Sequence, residues 1–232
     1  MGDGRGHGHG HGHGHGHGHG HGHGHGSHGN PADLEAYVAR LDDPERLRWQ
    51  KPARVVAAAD VRKGHVVCDL GSGTGTFTLR LARAVGPSGH VYAVDSDARL
   101  LELLRDRVAA TRARNVSPIL GLSSDPLIPD ASCDRILIVA AYHHFPDGVA
   151  MLRALRRKLR RGGHLVNVDF REGDLPVGPP PELRVTRAEF LRAARKAGLA
   201  LVREQTFLPY QYLLVLRADA GATRRRAHAR GE

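Results

Sequence analysis

The sequence predicts an α/β domain built on a doubly wound sheet of seven strands, mostly parallel with the last strand antiparallel, and with helices on both faces. Three observations predict it. From residue 64 onward short β-rich runs alternate with helical ones, the pattern of a parallel sheet covered by helices. The first of those runs ends in an acidic residue followed by three glycines at alternate positions, "CDLGSGTGTF", just before a helical stretch. The chain closes with two strands separated by Leu208-Pro209-Tyr210, and such neighbours must pair antiparallel because a parallel crossover needs about a dozen residues.

The first 30 of the 232 residues stand outside this domain. They alternate Gly and His and carry 11 of the 17 histidines and 14 of the 29 glycines, with almost nothing apolar to offset the entropy of ordering. Residues 1–30 are therefore expected to be a disordered tail, and residues 218–232, with "RRRAHAR", a basic disordered one. The imidazoles of the first tail can bind Ni²⁺, Zn²⁺ or Cu²⁺, chemistry open to any His-rich segment, so a repeat expansion or an engineered affinity sequence explains it as well. The domain itself is expected over residues 31–217, with N-terminal helices in 31–63 and the core sheet in 64–217.

Within it, "NPADLEAYVARLDDPERLRWQKPARVVAAADV" reads as two or three short helices over the carboxyl edge of the sheet or against its flank. The strands follow as "HVVCDL" (65–70), "HVYAVD" (90–95), "SPILGL" (117–122), "DRILIVAA" (134–141) and "HLVNVDF" (164–170). Helices are expected at 76–85, 97–113 and 147–160; Asp97 can cap the second, where Leu100, Leu101, Leu104 and Val108 recur at helical spacing. Gly86-Pro87-Ser88-Gly89 and Arg161-Gly162-Gly163 punctuate two helix ends. After Phe170 come a Pro/Gly-rich stretch, the helix "TRAEFLRAARKAGL", and the strands "ALVREQTF" and "QYLLVLR".

Composition narrows the function classes. No apolar stretch reaches signal-peptide or membrane length, so a soluble, cytoplasmic protein is expected. Cys68 and Cys133 each lie in an apolar run, which suits buried core thiols better than a disulfide or a metal site. The net charge of +10 invites a nucleic-acid partner, but only four of the 34 basic residues are Lys. In "RALRRKLRR" (153–161) the arginines share one helical side and the leucines another, which describes an amphipathic surface helix with a solvated face.

A strand, a glycine-rich turn and a helix form a phosphate cradle in general. A dinucleotide fingerprint needs its third glycine one residue later than Gly75, and a P-loop needs a Lys that no position from 64 to 157 supplies. The stretch instead resembles motif I of the class I S-adenosylmethionine-dependent methyltransferases, acidic-x-Gly-x-Gly-x-Gly, matched in full by Asp69, Gly71, Gly73 and Gly75. Asp95, at the end of the next strand, is where a carboxylate can accept both ribose hydroxyls. "RRGGHLVNVDF" is similar to the family's "KPGG" turn, with Arg161 in place of Pro. The resemblance covers about residues 45–217 and is strongest to small bacterial enzymes near the ubiquinone/menaquinone C-methyltransferase type, including a branch that shares "DDPER…WQKP", "YHH", "LPVGPPPE" and "FLPYQY".

The resemblance implies a Rossmann-like sheet and S-adenosyl-L-methionine as cofactor, leaving as S-adenosyl-L-homocysteine. It implies a cofactor site formed by Asp69, Gly71, Ser72, Gly73, Gly75, Asp95, Ser96, Asp125 and Tyr142, with Asp125 facing the adenine amino group. Asp125 also reads as a plain turn cap before Pro126. The acceptor is expected to be a small molecule. A nucleic-acid acceptor would call for an N-P-P-Y-like tetrapeptide after strand four, where this chain has "AYHH". A protein acceptor and a non-catalytic cofactor- or metal-binding protein are the other readings.

Strand four ends with Tyr142, His143 and His144 at the ligand-binding edge of the sheet. Methyl transfer needs a base only if the acceptor must lose a proton, and either histidine could supply it or serve as a structural hydrogen-bonding residue. Trp49, Tyr210 and Tyr212 are candidates for the acceptor pocket, or for packing under a lid.

Overall fold

The computed structural model describes Met1 and residues 31–219, so the expected disorder and metal binding of the Gly-His segment, and the basic tail past 219, lie outside the described residues. Seven strands form one sheet in the order β3-β2-β1-β4-β5-β7-β6: β1 (Val66–Leu70), β2 (His90–Asp95), β3 (Val116–Leu120), β4 (Cys133–Val139), β5 (Leu159–Phe170), β6 (Leu199–Gln205) and β7 (Gln211–Ala218). Pairings from β3 through β5 are parallel, while β7 runs antiparallel to both neighbours. The reversed strand is the last in sequence. In space it lies one place in from the edge, because β6 must reach the far side of β7 before the tight Leu208–Tyr210 turn brings the chain back.

Strand alternation sorts the core into two faces. Cys68, Leu70, Ile136, Ile138 and Leu165 point to one face, covered by Met151, Leu152 and Leu155 of α6 (Gly148–Lys158) and by Phe190 and Ala194 of α7 (Arg187–Lys196). Val67, Val91, Leu137, Val166 and Val168 point to the other. That face is covered by α3 (Pro52–Ala58) through Val55 and Val56, and by α4 (Thr78–Val85) through Leu81 and Val85. On the same side α5 (Ala98–Thr111) buries Leu101, Leu104 and Val108 against Ala93. Each large apolar side chain so buried contributes roughly 1.5–3 kcal/mol.

Helix starts follow side-chain chemistry. Asp97 accepts the Arg99 N–H to cap α5, Asp147 accepts the Ala150 N–H to cap α6, and Thr186 with Glu189 closes a reciprocal capping box on α7. At the end of α6 the expectation needs correction: the helix stops at Lys158 and Leu159 already pairs with Cys133. The Arg160–Gly163 stretch is a bulge in β5, with Gly162 at φ +81°, so Arg160 leaves the helical face and pairs with Asp134 instead.

The N-terminal region forms three short helices, α1 (Leu34–Asp42), α2 (Pro44–Gln50) and α3. Asp42, at the end of α1, accepts both the Thr74 hydroxyl, at 2.8 Å, and the Arg107 guanidinium, at 2.6 and 3.0 Å, which ties α1 down over the glycine loop. Cys68 and Cys133 are both free and buried, as expected of core thiols. Among the described residues no helix is long and apolar enough to cross a membrane.

Candidate active site

Topology fixes the place of the site. The chain runs from β1 to β2 and β3 on one side, then crosses to β4 and β5 on the other, so the crevice outside the carboxyl ends of β1 and β4 is where open sheets take ligands. A cavity of about 380 Å³ lies there. Its floor comes from Gly71–Thr74 after β1, Asp95 ending β2, and Val139–Ala141 after β4; α1 and α2 roof it with Tyr37, Leu41, Arg46 and Gln50.

On the β1–β2 side Asp95 is the organising group. Its carboxylate, 9% exposed, accepts the Gly73 N–H at 2.8 Å through one oxygen and the Asp97 N–H at 3.1 Å through the other. Burial raises the Asp95 carboxyl above its ordinary value, opposed by the N–H groups of Asp97, Gly73 and Ser96. Each oxygen keeps acceptor capacity toward the cavity, which Asp95 lines together with Ser96. The Ser72 hydroxyl, also in the lining, is buried without a hydrogen-bond partner.

Asp69 does different work. It is 2% exposed, lies off the cavity, and accepts the Thr78 hydroxyl at 2.6 Å, bracing β1 against α4. Burial pushes its carboxyl up to about 7 against the Thr78 hydroxyl, with the Asp95 charge adding to the rise.

The three glycines also divide. A Cβ on Gly71 would sit 2.5 Å from the Ala141 Cβ, and one on Gly75 would sit 2.4 Å from Leu104 Cδ1. These two glycines make room for the turn after β4 and for α5, and of the two only Gly71 lines the cavity. Gly73 lies beneath Leu41 of the roof, where a Cβ would come within 3.2 Å of Cδ1. All three have positive φ, from +52° to +88°.

On the β4–β5 side the chain leaves β4 through Ala140, a non-glycine residue at φ +50°, into a short 3₁₀ turn, Tyr142–His144. His143 Nδ1 lies 3.0 and 3.1 Å from the two oxygens of Asp169, near the end of β5. Asp169 is 1% exposed and its Oδ1 also accepts the Phe170 N–H at 2.9 Å. An ionised carboxylate only accepts, so the ring proton belongs on Nδ1 and Nε2 is left as the basic nitrogen. His143 and His144 both line the cavity, ring centroids 4.1 Å apart.

Several expected residues lie elsewhere. Asp125 is a turn cap: its Oδ1 accepts the Leu127 N–H at 2.8 Å and faces Lys158 at 3.6 Å, while Gly121, Leu122 and Ser123 line the cavity in its stead. Tyr142 is core, its ring edge-on to Phe190 at 4.8 Å and its hydroxyl pushed up to about 12 by burial. Tyr212 is buried on the same face and donates to the Val185 carbonyl at 3.1 Å. Trp49 and Tyr210 form a layer behind Phe170, which itself lines the cavity; the Trp49 ring is 5.9 Å from each.

Asp169, Arg46 and Phe170 were missed by the sequence reading, while Gln50 lies in the Trp49–Lys51 segment expected at the acceptor pocket and does line the cavity. A signal existed for Asp169, an acidic residue in an apolar strand run at the ligand-binding edge. None ties α2 to β5.

With this geometry in view, the methyltransferase domain family matches residues 67–163. A SAM dependent methyltransferase from Aquifex aeolicus superposes with a TM-score of 0.76 at 25% identity, over 80% of this chain and 98% of that one. Residues 67–163 thus match a methyltransferase domain, and the fold is that of the class I, S-adenosylmethionine-dependent methyltransferases.

The methyltransferase domain has curated relatives whose names diverge. A protein-L-isoaspartate O-methyltransferase of Methanothrix thermoacetophila is 34% identical over 145 residues, 62% of this chain and 62% of that protein. A demethylmenaquinone methyltransferase of Listeria monocytogenes is 30% identical over 130 residues, 56% of this chain and 54% of that protein. The chain thus spans between half and two thirds of these relatives' length. The [4+2]-cyclase SpnF shares the fold alone, with a TM-score of 0.63 at 15% identity.

The described residues fit the family's cofactor. Asp95 offers two acceptor oxygens at the cavity wall, Ser72 a buried unpaired hydroxyl, and the Gly71–Thr74 backbone a surface without bulky side chains. No group of three or more His, Cys, Asp or Glu side chains suited to a metal occurs among the described residues.

Proposed function

We propose that this protein transfers a methyl group from S-adenosylmethionine to a small-molecule acceptor that loses a proton in the reaction. The observation that carries this reading is one cavity that joins Asp95, anchored on the glycine loop, to a histidine held by a buried carboxylate. Asp95, Ser72, Ser96 and the Gly71–Gly73 backbone would hold the cofactor, which supplies an electrophilic methyl group when bound. Asp69, Gly75 and Tyr142 support that wall from behind.

The chain's own contribution on the acceptor side is a base and its orientation. Asp169 keeps the His143 proton on Nδ1 and stabilises the imidazolium that forms when Nε2 takes the acceptor's proton. Phe170, backed by Trp49 and Tyr210, gives an apolar wall, and α1 with α2 limits the space and excludes water. A roofed cavity suits a small acceptor better than a folded protein or a nucleic acid.

The test is a thermal-shift and calorimetric titration of the full chain with S-adenosylmethionine, S-adenosylhomocysteine and NAD. Ligand linkage predicts a melting temperature raised by the first two, by about 2.7 kcal/mol of stability at a hundredfold excess over Kd. No response to either, or a response to NAD alone, would overturn the reading.

A further inference from the structure

One corner of the cavity is left over by this assignment. In α2, Arg46 and Gln50 stand four residues apart and so share a side of the helix, and both line the cavity. Arg46 Nε donates to Gln50 Oε1 at 3.3 Å, which turns the Gln50 amide nitrogen away from the guanidinium. Gln50 is 1% exposed and that nitrogen has no hydrogen-bond partner.

Arg46 takes part in none of the ion pairs among the described residues. Its guanidinium lies 5.6 Å from the centre of the Trp49 ring, and Trp49 leans on Phe170 at the end of β5. Burial draws the Arg46 pKa below its ordinary value, and the nearby Arg40 charge acts in the same direction. A half-buried cation without an anion, beside a buried N–H donor without an acceptor, is costly unless a ligand satisfies both. Both residues line the cavity and both carry N–H donors, and a planar guanidinium matches a planar two-oxygen acceptor.

We propose that Arg46 and Gln50 form a carboxylate-binding corner of the cavity, beside the Trp49–Phe170 wall. The carboxylate has two sources, the amino-acid end of the cofactor or the methyl acceptor itself. The proposal rests on the methyltransferase reading for the identity of those sources, while the corner's affinity for a carboxylate stands on its own.

The experiment uses Arg46→Met, which keeps the aliphatic stem on Trp49, and Gln50→Leu, with melting curves to confirm that both fold. Calorimetry compares S-adenosylhomocysteine with 5′-methylthioadenosine, which has the nucleoside and sulfur but no amino acid. Benzoate is then titrated into protein saturated with S-adenosylhomocysteine, read by the fluorescence of Trp49, the chain's single tryptophan.

If the cofactor is the source, Arg46→Met weakens S-adenosylhomocysteine by about 10- to 100-fold and leaves 5′-methylthioadenosine unchanged. If the acceptor is the source, both nucleosides bind as in wild type and the benzoate response is lost in the variant. Gln50→Leu follows the same pattern with a smaller change, and Arg46→Lys recovers only part of the loss. Wild-type behaviour of Arg46→Met in both arms, or absence of any benzoate response together with unchanged nucleoside affinity, overturns the proposal. Should wild type bind neither nucleoside, the methyltransferase reading fails, and the benzoate titration of the free protein then decides the corner by itself.

Discussion

The two halves of the cavity are assembled in opposite ways. The β1–β2 half is local: the glycine loop, Asp69 beneath it and Asp95 beside it come from one strand–helix–strand unit, closed by the hydrogen bond from Gly73 to Asp95. The β4–β5 half is assembled from distant parts of the chain. His143 follows β4, its partner Asp169 ends β5, Phe170 is backed by Trp49 of α2, and Arg46 and Gln50 hang from the roof. The difference separates two tasks. A nucleoside-sized ligand can be held by one compact unit, whereas the chemistry at its far end depends on which side chains other elements bring there. Proteins that share the sheet can therefore diverge in reaction, as the likeness to a [4+2]-cyclase illustrates.

The largest effect is expected at Asp95. Asp95→Ala removes up to two charge-assisted hydrogen bonds to a bound nucleoside, each worth roughly 1.5–3 kcal/mol, and also frees the Gly73 N–H. Affinity for S-adenosylhomocysteine should fall by about two orders of magnitude or more in calorimetry. Near-normal binding would show that the local half does not hold the cofactor.

Asp69 should act on stability rather than on the ligand. Its folded-state pKa is raised from 3.8 to about 7, so the folded chain holds that proton more tightly than the unfolded chain does. The resulting stabilisation is complete below about pH 3.8 and is lost as pH rises through 7, a change on the order of 4 kcal/mol. Urea melts of wild type and Asp69→Asn at pH 4.5 and pH 8 should show wild type losing a few kcal/mol more than the variant, which cannot ionise. Parallel losses in the two proteins would remove Asp69 as the titrating group.

In the assembled half, Asp169→Asn leaves the β1–β2 wall intact but releases the His143 ring. The expectation is unchanged affinity for S-adenosylhomocysteine, a mixture of His143 ring tautomers by ¹⁵N NMR, and turnover lower by at least about 10²-fold once an acceptor is in hand. A clear loss of cofactor affinity would mean that the two halves are not separable.

The smallest effect sharpens the boundary within the glycine loop. Gly75→Ala places a methyl group against Leu104 at φ +88°, so it should cost about 1–3 kcal/mol of stability while changing cofactor affinity little. Gly73→Val at the cavity should do the reverse, weakening the ligand more than the fold.

The strands and most helices were legible because their signals are short-range. Apolar runs, alternation and Asp97 before a leucine repeat place "HVYAVD" within β2 and α5 within 97–113 to a residue or two. The end of α6 was not legible. Arg160 continues the helical charge pattern, but pairing of Leu159 with Cys133 across the sheet ends the helix at Lys158, and no local pattern encodes that competition.

In the candidate site the β1–β2 half was the legible part, since Gly71, Ser72, Gly73, Asp95 and Ser96 lie within one supersecondary unit and all line the cavity. The run after β4 likewise pointed to His143 and His144 at the carboxyl edge of the sheet, where both line the cavity. The rest came from packing between distant elements: Asp169 holds His143, Asp125, Tyr142 and Tyr212 serve a turn and the core, and Trp49 and Tyr210 back Phe170 instead of lining the cavity. A side chain's role beyond its own element depends on which remote backbone arrives opposite it. Spacing along the chain carries dihedral preference and periodicity, but the partner of a buried carboxylate or ring is set by packing across the sheet.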